Sequence, residues 1–192
     1  MNKANAFLYD CTLSVMNLQP GESILEIGFG NGKLFGKIFA ASPELYVSGL
    51  DFSEENITAA RTNNRENIAA KRLKIEKGNS NHMPFADSSF DKVFCINVMY
   101  FWDEPAPHLL EVKRVLKPGG RFYVTIRTRE SMALLPFTRY GFTSYDEYGW
   151  SRLVEANGLV FEKAWKIEEP ESEFEGRPFR VQSLCLAAKK KD

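Results

Sequence analysis

Gly28, Gly30 and Gly32 alternate in "ILEIGFGNGKL" (residues 24–34), directly after a short apolar run. Glycine in this arrangement leaves the backbone bare, so that a ligand or a packed element can approach it closely. Asp51 ends a second apolar run, 19 residues beyond Gly32. An ionised Asp accepts through two oxygens and can hold both hydroxyls of a ribose. In "GNSNHMPFADSSFD" (78–91), Asn79 can accept an adenine amino proton through its side-chain oxygen, and the Ser80 backbone can donate to a ring nitrogen. "INVMYFW" (96–102) adds Asn97, Tyr100, Phe101 and Trp102 above the same crevice. The chemistry these residues offer is recognition of a nucleoside-like ligand.

The glycine pattern restricts which ligand. A dinucleotide site calls for GxGxxG, with the pyrophosphate on a helix N-terminus. Here the third dinucleotide glycine is replaced by Lys33, and no GK[ST] follows, so there is no Walker loop. Glycines also serve tight strand–helix turns for packing alone, and this reading stays open at this point. His82 and His108 are the two histidines; one falls in a loop and the other early in a helix. Neither they nor Tyr100 and Asp103 are marked out as a general base, and no catalytic residue is assigned.

These residues are positioned by alternating elements. A helix is predicted over 4–17 and is broken by "QPGE". Strands are predicted at 23–27, 45–51, 73–77, 91–97 and 121–127. Helices over 31–41, from Ser53 to about Lys71, and over 107–116 alternate with them. Ser53 is placed as an N-cap, with Glu54 and Glu55 in the first turn. This order predicts βαβ units and a parallel sheet covered on both faces. A last helix to about Asn157 precedes strands at 159–167 and 179–188. The 11-residue link between those strands is too short for a helical crossover, so they should pair as an antiparallel hairpin.

Composition bounds the class. The 192 residues suit one domain, expected over 1–192, and 44% are hydrophobic. Lys plus Arg equals Asp plus Glu, 25 each, which gives no overall drive toward nucleic acid or an anionic membrane. Cys11, Cys95 and Cys185 form neither CxxC nor a zinc spacing, so no metal site is expected and reduced thiols of a cytoplasmic protein are. The N-terminal stretch has no signal-peptide pattern, and no apolar run is long enough to span a bilayer.

Four stretches together carry a resemblance: "LEIGFGNG", "GLDFS", "GNSNHMPFADSSFD" and "LKPGGRFYV". In order and spacing, over roughly residues 20–130, they resemble the class I S-adenosylmethionine-dependent methyltransferases. The resemblance implies a Rossmann-like, doubly wound α/β fold: a seven-stranded, mostly parallel sheet with an antiparallel C-terminal hairpin. It implies S-adenosylmethionine as cofactor and S-adenosylhomocysteine as product. Gly28, Gly30 and Gly32 would face the methionine end and Glu26 would lie near the ammonium. Asp51 would hold the ribose diol, Phe52 would lie against adenine, and Asn79 and Ser80 would read its edge. The Asn97 backbone would face the cofactor. Asn79 departs from the family's usual Asp, which implies a weaker, uncharged hydrogen bond.

Tyr9, Tyr100 and Trp102 would stand at the crevice mouth as a lid or substrate wall, with residues 1–20 as the lid helix; the competing expectation is that these aromatics bury themselves against the first helix. Residues 129–143 would face the acceptor. There Met132, Leu134, Leu135, Phe137 and Tyr140 suit an apolar molecule, and Arg127, Arg129 and Arg139 suit an acid, unless the segment only packs down. A small-molecule acceptor is expected, with no nucleic acid or membrane partner and no oligomeric state assigned. A non-catalytic cofactor-binding module and a nicotinamide-dependent oxidoreductase are the alternatives, the second opposed by Lys33.

Overall fold

The structure, a computed structural model, describes residues 3–133, 142–174 and 177–191. Its centre is a seven-stranded sheet in the order β3-β2-β1-β4-β5-β9-β6. β1 (Ser23–Ile27), β2 (Tyr46–Asp51), β3 (Leu73–Lys77), β4 (Phe90–Ile96) and β5 (Leu116–Arg127) are mutually parallel. β6 (Leu159–Glu168) and β9 (Gln182–Lys190) are antiparallel to one another, and β9 is antiparallel to β5. The chain steps from β1 outward through β2 to β3, then returns to β4 on the other side of β1. The order therefore reverses at β1, the place where open α/β sheets form a crevice beyond the strand carboxyl ends.

Both faces of the sheet are covered, which is why "SILEI" reads as a nearly continuous apolar run. Ile24, Phe94 and Tyr123 join α1 (Lys3–Met16), α2 (Phe35–Ala41) and α3 (Glu54–Asn63) in one core layer. Leu25, Ile27, Val93 and Phe122 point the other way, toward α5 (Pro105–Val115) and α7 (Glu147–Ala156). By the same alternation, Glu26 and Asp51 lie on the face that carries α1 and α3. Helix α1 is fixed there by the buried Leu8, Leu13 and Met16, and by a 2.7 Å hydrogen bond between the Thr12 and Thr125 hydroxyls.

The structure differs from the sequence reading at several boundaries. The helix expected to run to Lys71 breaks at Asn64, giving α3 and a short α4 (Arg65–Ala69). Asn64 Nδ2 donates to Gly32 O and to Ala60 O, 2.9 Å each, and this side chain ties the helix end to the glycine turn. Helix α2 starts at Phe35, later than expected, because residues 31–34 stay in the turn. "LKPGG" does not end a helix and precede a strand; it is already part of β5, which pairs Phe90 with Leu116 and Lys92 with Arg121 across a register shift. A short α6 (Arg129–Ala133) follows β5, and α7 starts at Glu147 on an Asp146 cap that accepts Gly149 N at 2.7 Å. The link before β9 holds a further two-stranded ribbon, β7 (Ser172–Phe174) with β8 (Arg177–Phe179). The last strand consequently begins at Gln182, later than residue 179.

Candidate functional site

The carboxyl ends of β3, β2, β1 and β4 lie side by side, and the sequence-selected residues fall along this rim. Gly28, Gly30 and Gly32 all have positive φ, +74°, +60° and +67°, so the turn after β1 uses the left-handed region at alternate positions. The reasons for the three glycines differ. A Cβ on Gly28 would lie 2.3 Å from Val98 Cγ2, and one on Gly32 would lie 2.6 Å from the Ala60 Cβ. These two are required by packing against the β4 loop and α3. A Cβ on Gly30 would meet no atom within 4 Å. Of the three, Gly30 alone borders open space.

Asp51 is only 5% exposed. Its Oδ2 accepts the Gly30 N–H at 3.0 Å, and its Oδ1 accepts the Ser53 N–H at 2.9 Å. The Asn56 amide reaches both oxygens, at 3.3 and 3.2 Å. The acid at the end of β2 thus clamps the glycine turn to the start of α3. Phe52, the next residue, leaves this cluster and is 78% exposed. An apolar ring held in the open beside a carboxylate and a bare glycine is the kind of surface a nucleoside covers.

Glu26 sits deeper, buried on β1. Its Oε2 accepts the Tyr9 hydroxyl at 2.6 Å, and among the described residues no cation pairs with it. Burial, with Asp51 adding repulsion, pushes its pKa up to about 8, although the Tyr9 hydrogen bond works against the shift. Burial and the neighbouring Glu26 likewise raise the Tyr9 hydroxyl well above its ordinary range.

At the β3 end, Asn79 is exposed, and its Oδ1 accepts the Asn81 N–H at 3.2 Å. Ser80 is buried, and its hydroxyl is hydrogen-bonded to His108 Nδ1 at 2.7 Å. His108 in turn stacks on Trp102 with ring centroids 4.5 Å apart and planes 9° from parallel. Trp102 is thereby held between His108 and Phe122, whereas His108 is half-buried. Burial lowers the His108 pKa, which favours the neutral ring.

At the β4 end, Asn97 has φ +57°, and its side chain joins Asn5 of α1 to the Tyr100 hydroxyl, at 3.3 and 3.2 Å. Tyr100 also accepts the Arg127 backbone N–H. Tyr100 is 4% exposed and Trp102 is 3%. Tyr9 is buried as well, against Glu26 and edge-on to Phe94. The three aromatics expected at the mouth are therefore built into the protein. Tyr9 does pack through the first helix, whereas Tyr100 and Trp102 bury on the opposite face of the sheet. Phe101 remains outside, 60% exposed, with its ring 5.0 Å from that of Phe142.

Arg127 is not available to an acid ligand. Its Nε and Nη2 make a bidentate pair with Glu169, 2.9 Å each, and Ser183 donates to the same carboxylate. Met132 is buried, and Arg129 is exposed, its Nη2 lying 3.9 Å from Asp146. Leu134, Leu135, Phe137, Arg139 and Tyr140 lie outside the described residues. Sequence reasoning missed Asn5, Asn56, Glu111 and Arg114. Glu111 accepts the Met83 N–H at 2.6 Å, and Arg114 donates to the Phe85 and Met83 carbonyls. These two residues of α5 hold the "MPFAD" loop in place. Opposite charges at i and i+3 on α5 were the one available signal. A separate groove of about 810 Å³, lined by Thr58, Arg61, Arg65, Ile68 and Ile75 among others, contains none of these site residues.

Residues 25–124 match the family model described as "Methyltransferase domain". Over 133 residues the chain is 28% identical to YdaC, an uncharacterized methyltransferase of Bacillus subtilis, covering 69% of this chain and 71% of that protein. It is 30% identical over 125 residues to a fatty-acid O-methyltransferase of Mycolicibacterium smegmatis, covering 65% of this chain but 44% of the relative. This chain thus spans less than half of that second relative's length. In fold it is similar to the geranyl diphosphate C-methyltransferase of Streptomyces coelicolor, solved with S-adenosylhomocysteine. That likeness has a TM-score of 0.77 at 13% identity and covers 97% of this chain and 80% of that one. The nicotinamide alternative falls with this match, and the chain belongs to the methyltransferase domain family, as a class I S-adenosylmethionine-dependent methyltransferase.

Proposed function

We propose that the protein transfers a methyl group from S-adenosylmethionine to a small-molecule acceptor by in-line displacement. The observation that carries the cofactor's place is the Asp51–Gly30 contact, with open space over Gly30 and an exposed Phe52 beside it. The residues present fit the group. Asp51 accepts the ribose hydroxyls in exchange for its long contacts with the Asn56 amide, Phe52 lies against adenine, and Asn79 with the Ser80 backbone receives the adenine edge. Since the Ser80 hydroxyl is bonded to His108, its backbone N–H is the group left to read the base. Glu26 meets the ammonium, and the Asn97 backbone lines the methionine end.

When bound, the cofactor supplies a methyl on a sulfonium, a leaving group already activated. What remains for the chain is alignment and exclusion of water, which can account for up to about 7–11 kcal/mol of a barrier. No side chain is assigned as a base. Buried Tyr100 is a poor one, since burial pushes its hydroxyl far above the physiological range. His108 is turned onto Ser80 and Trp102.

A small, apolar or aromatic acceptor suits the rim beyond β4, where Phe101 and Phe142 form an aromatic edge. The balance of 25 basic and 25 acidic residues leaves no net positive charge to draw in a polynucleotide. Calorimetric titration with S-adenosylmethionine, S-adenosylhomocysteine and NAD tests the cofactor. Release of S-adenosylhomocysteine across a panel of fatty acids, phenols and tRNA tests the acceptor. Turnover on tRNA with none on the small molecules would overturn the acceptor class.

A further inference from the structure

Glu26 is a buried carboxylate near the carboxyl end of β1, just before the glycine turn, and among the described residues no cation pairs with it. Among the described residues, two neighbouring elements turn a titratable group toward it: helix α1 brings the Tyr9 hydroxyl and β2 brings Asp51. β4, on its other side, turns the Cys95 thiol to the opposite face of the sheet. None of these is a cation. An isolated charge in such a place is costly, so the carboxyl keeps its proton until a counter-charge arrives. Tyr9 is the one described side chain that donates to it, and it reaches in from α1, which packs on the same face of the sheet.

We propose that Tyr9 is a positioning residue for Glu26, and that Glu26 gives up its proton when the ammonium of the cofactor's amino acid end docks against it. This rests on the cofactor reading above and adds its proton linkage. In balance, a neutral Glu26 carboxyl and an incoming ammonium become a carboxylate–ammonium pair, with one proton passed to solvent. Tyr9 keeps its own proton throughout and its hydrogen bond is retained, now to a charged acceptor, where such bonds are stronger. The pair therefore selects for ligands that carry the amino acid end, and ties their affinity to pH.

The experiment is calorimetry of the intact chain at pH 6.5, in two buffers that differ in ionisation enthalpy. S-adenosylhomocysteine is compared with 5′-methylthioadenosine, which has ribose and adenine but no amino acid. Expected is release of close to one proton per S-adenosylhomocysteine and none for methylthioadenosine. The affinity for S-adenosylhomocysteine should rise about tenfold per pH unit until Glu26 is ionised, then level off. Glu26→Gln should release no proton and bind with a flat pH profile. Tyr9→Phe should move the break in the profile to higher pH while leaving methylthioadenosine affinity unchanged. S-adenosylhomocysteine bound without proton release would overturn the linkage and leave the cofactor reading standing. An unshifted break in Tyr9→Phe would remove Tyr9 as a positioning residue. If neither nucleoside binds, both readings fall. The wild-type comparison of the two ligands needs no variant to fold.

Discussion

Gly30 donates its backbone N–H to Asp51 Oδ2 at 3.0 Å, so the middle glycine of the β1 turn and the acid ending β2 form one unit. Asp51 also holds the Ser53 N–H and the Asn56 amide. It is more than a strand-end acid with little structural role, which is how the sequence alone presents it. Asp51→Ala is expected to weaken S-adenosylhomocysteine binding by about 1.5–3 kcal/mol, the scale of hydrogen bonds to a charged group. It should also lower stability by about 1–3 kcal/mol, because buried donors lose their acceptor. Calorimetry and urea melts on the same variant separate the two losses. Unchanged affinity would remove Asp51 from the cofactor site.

The glycines can be separated by substitution. Gly30→Val places its side chain in open space and should fold, at a cost of roughly 1–2 kcal/mol for the left-handed backbone, while abolishing cofactor binding. Gly32→Val should instead fail to fold, because even its Cβ lies 2.6 Å from that of Ala60. Circular dichroism and a cofactor titration check both. A Gly30→Val protein that binds like the parent would make the turn a packing device throughout.

Trp102 stacks on His108 and lies 6.5 Å from Phe122 in a near-parallel arrangement. Trp102→Ala should cost about 3–5 kcal/mol, as for other buried aromatics. At roughly 2–4 °C per kcal/mol, the melting temperature should fall by roughly 6–20 °C. Activity per folded molecule should hold. A melting temperature within a degree of wild type with a large loss of turnover would restore the lid role.

Glu26 predicts a pH dependence with a definite sign. Its pKa is raised from 4.5 to about 8 in the folded state, so between those values the folded chain holds a proton that the unfolded chain has lost. Stability from this group should therefore fall as pH rises across that window. His108 acts oppositely. Burial lowers its pKa from 6.5, so its contribution is present above that value and is lost as pH falls through the window below it. Thermal melts of Glu26→Gln beside wild type isolate the first effect. The variant should gain on wild type steadily from pH 5 to pH 8, and a constant difference across that range would refute the buried, protonated carboxyl.

The sequence by itself determined the layered α/β architecture, because its strands are short apolar runs and its intervening segments carry helix caps and breakers. It also determined which residues end the strands, and hence that Glu26, Gly30, Asp51, Asn79 and Asn97 share one rim. Parallel strands joined by helical crossovers put their carboxyl ends on the same side wherever the helices pack. Only the tertiary structure decided what each rim residue does for its neighbours. Gly28 and Gly32 answer to Val98 and Ala60, residues 70 and 28 positions along the chain, and no local pattern encodes such a contact. Arg127 looked free until Glu169, which follows α6, α7 and β6 in the chain, took its guanidinium. The burial that raises the Glu26 pKa, and the hydroxyl that opposes it, come from α1, a helix whose sequence shows amphipathic spacing but not where it docks. Local propensity fixes the elements; docking brings distant polar groups into one low-dielectric place, and that decides which of them is charged, paired or open to a ligand.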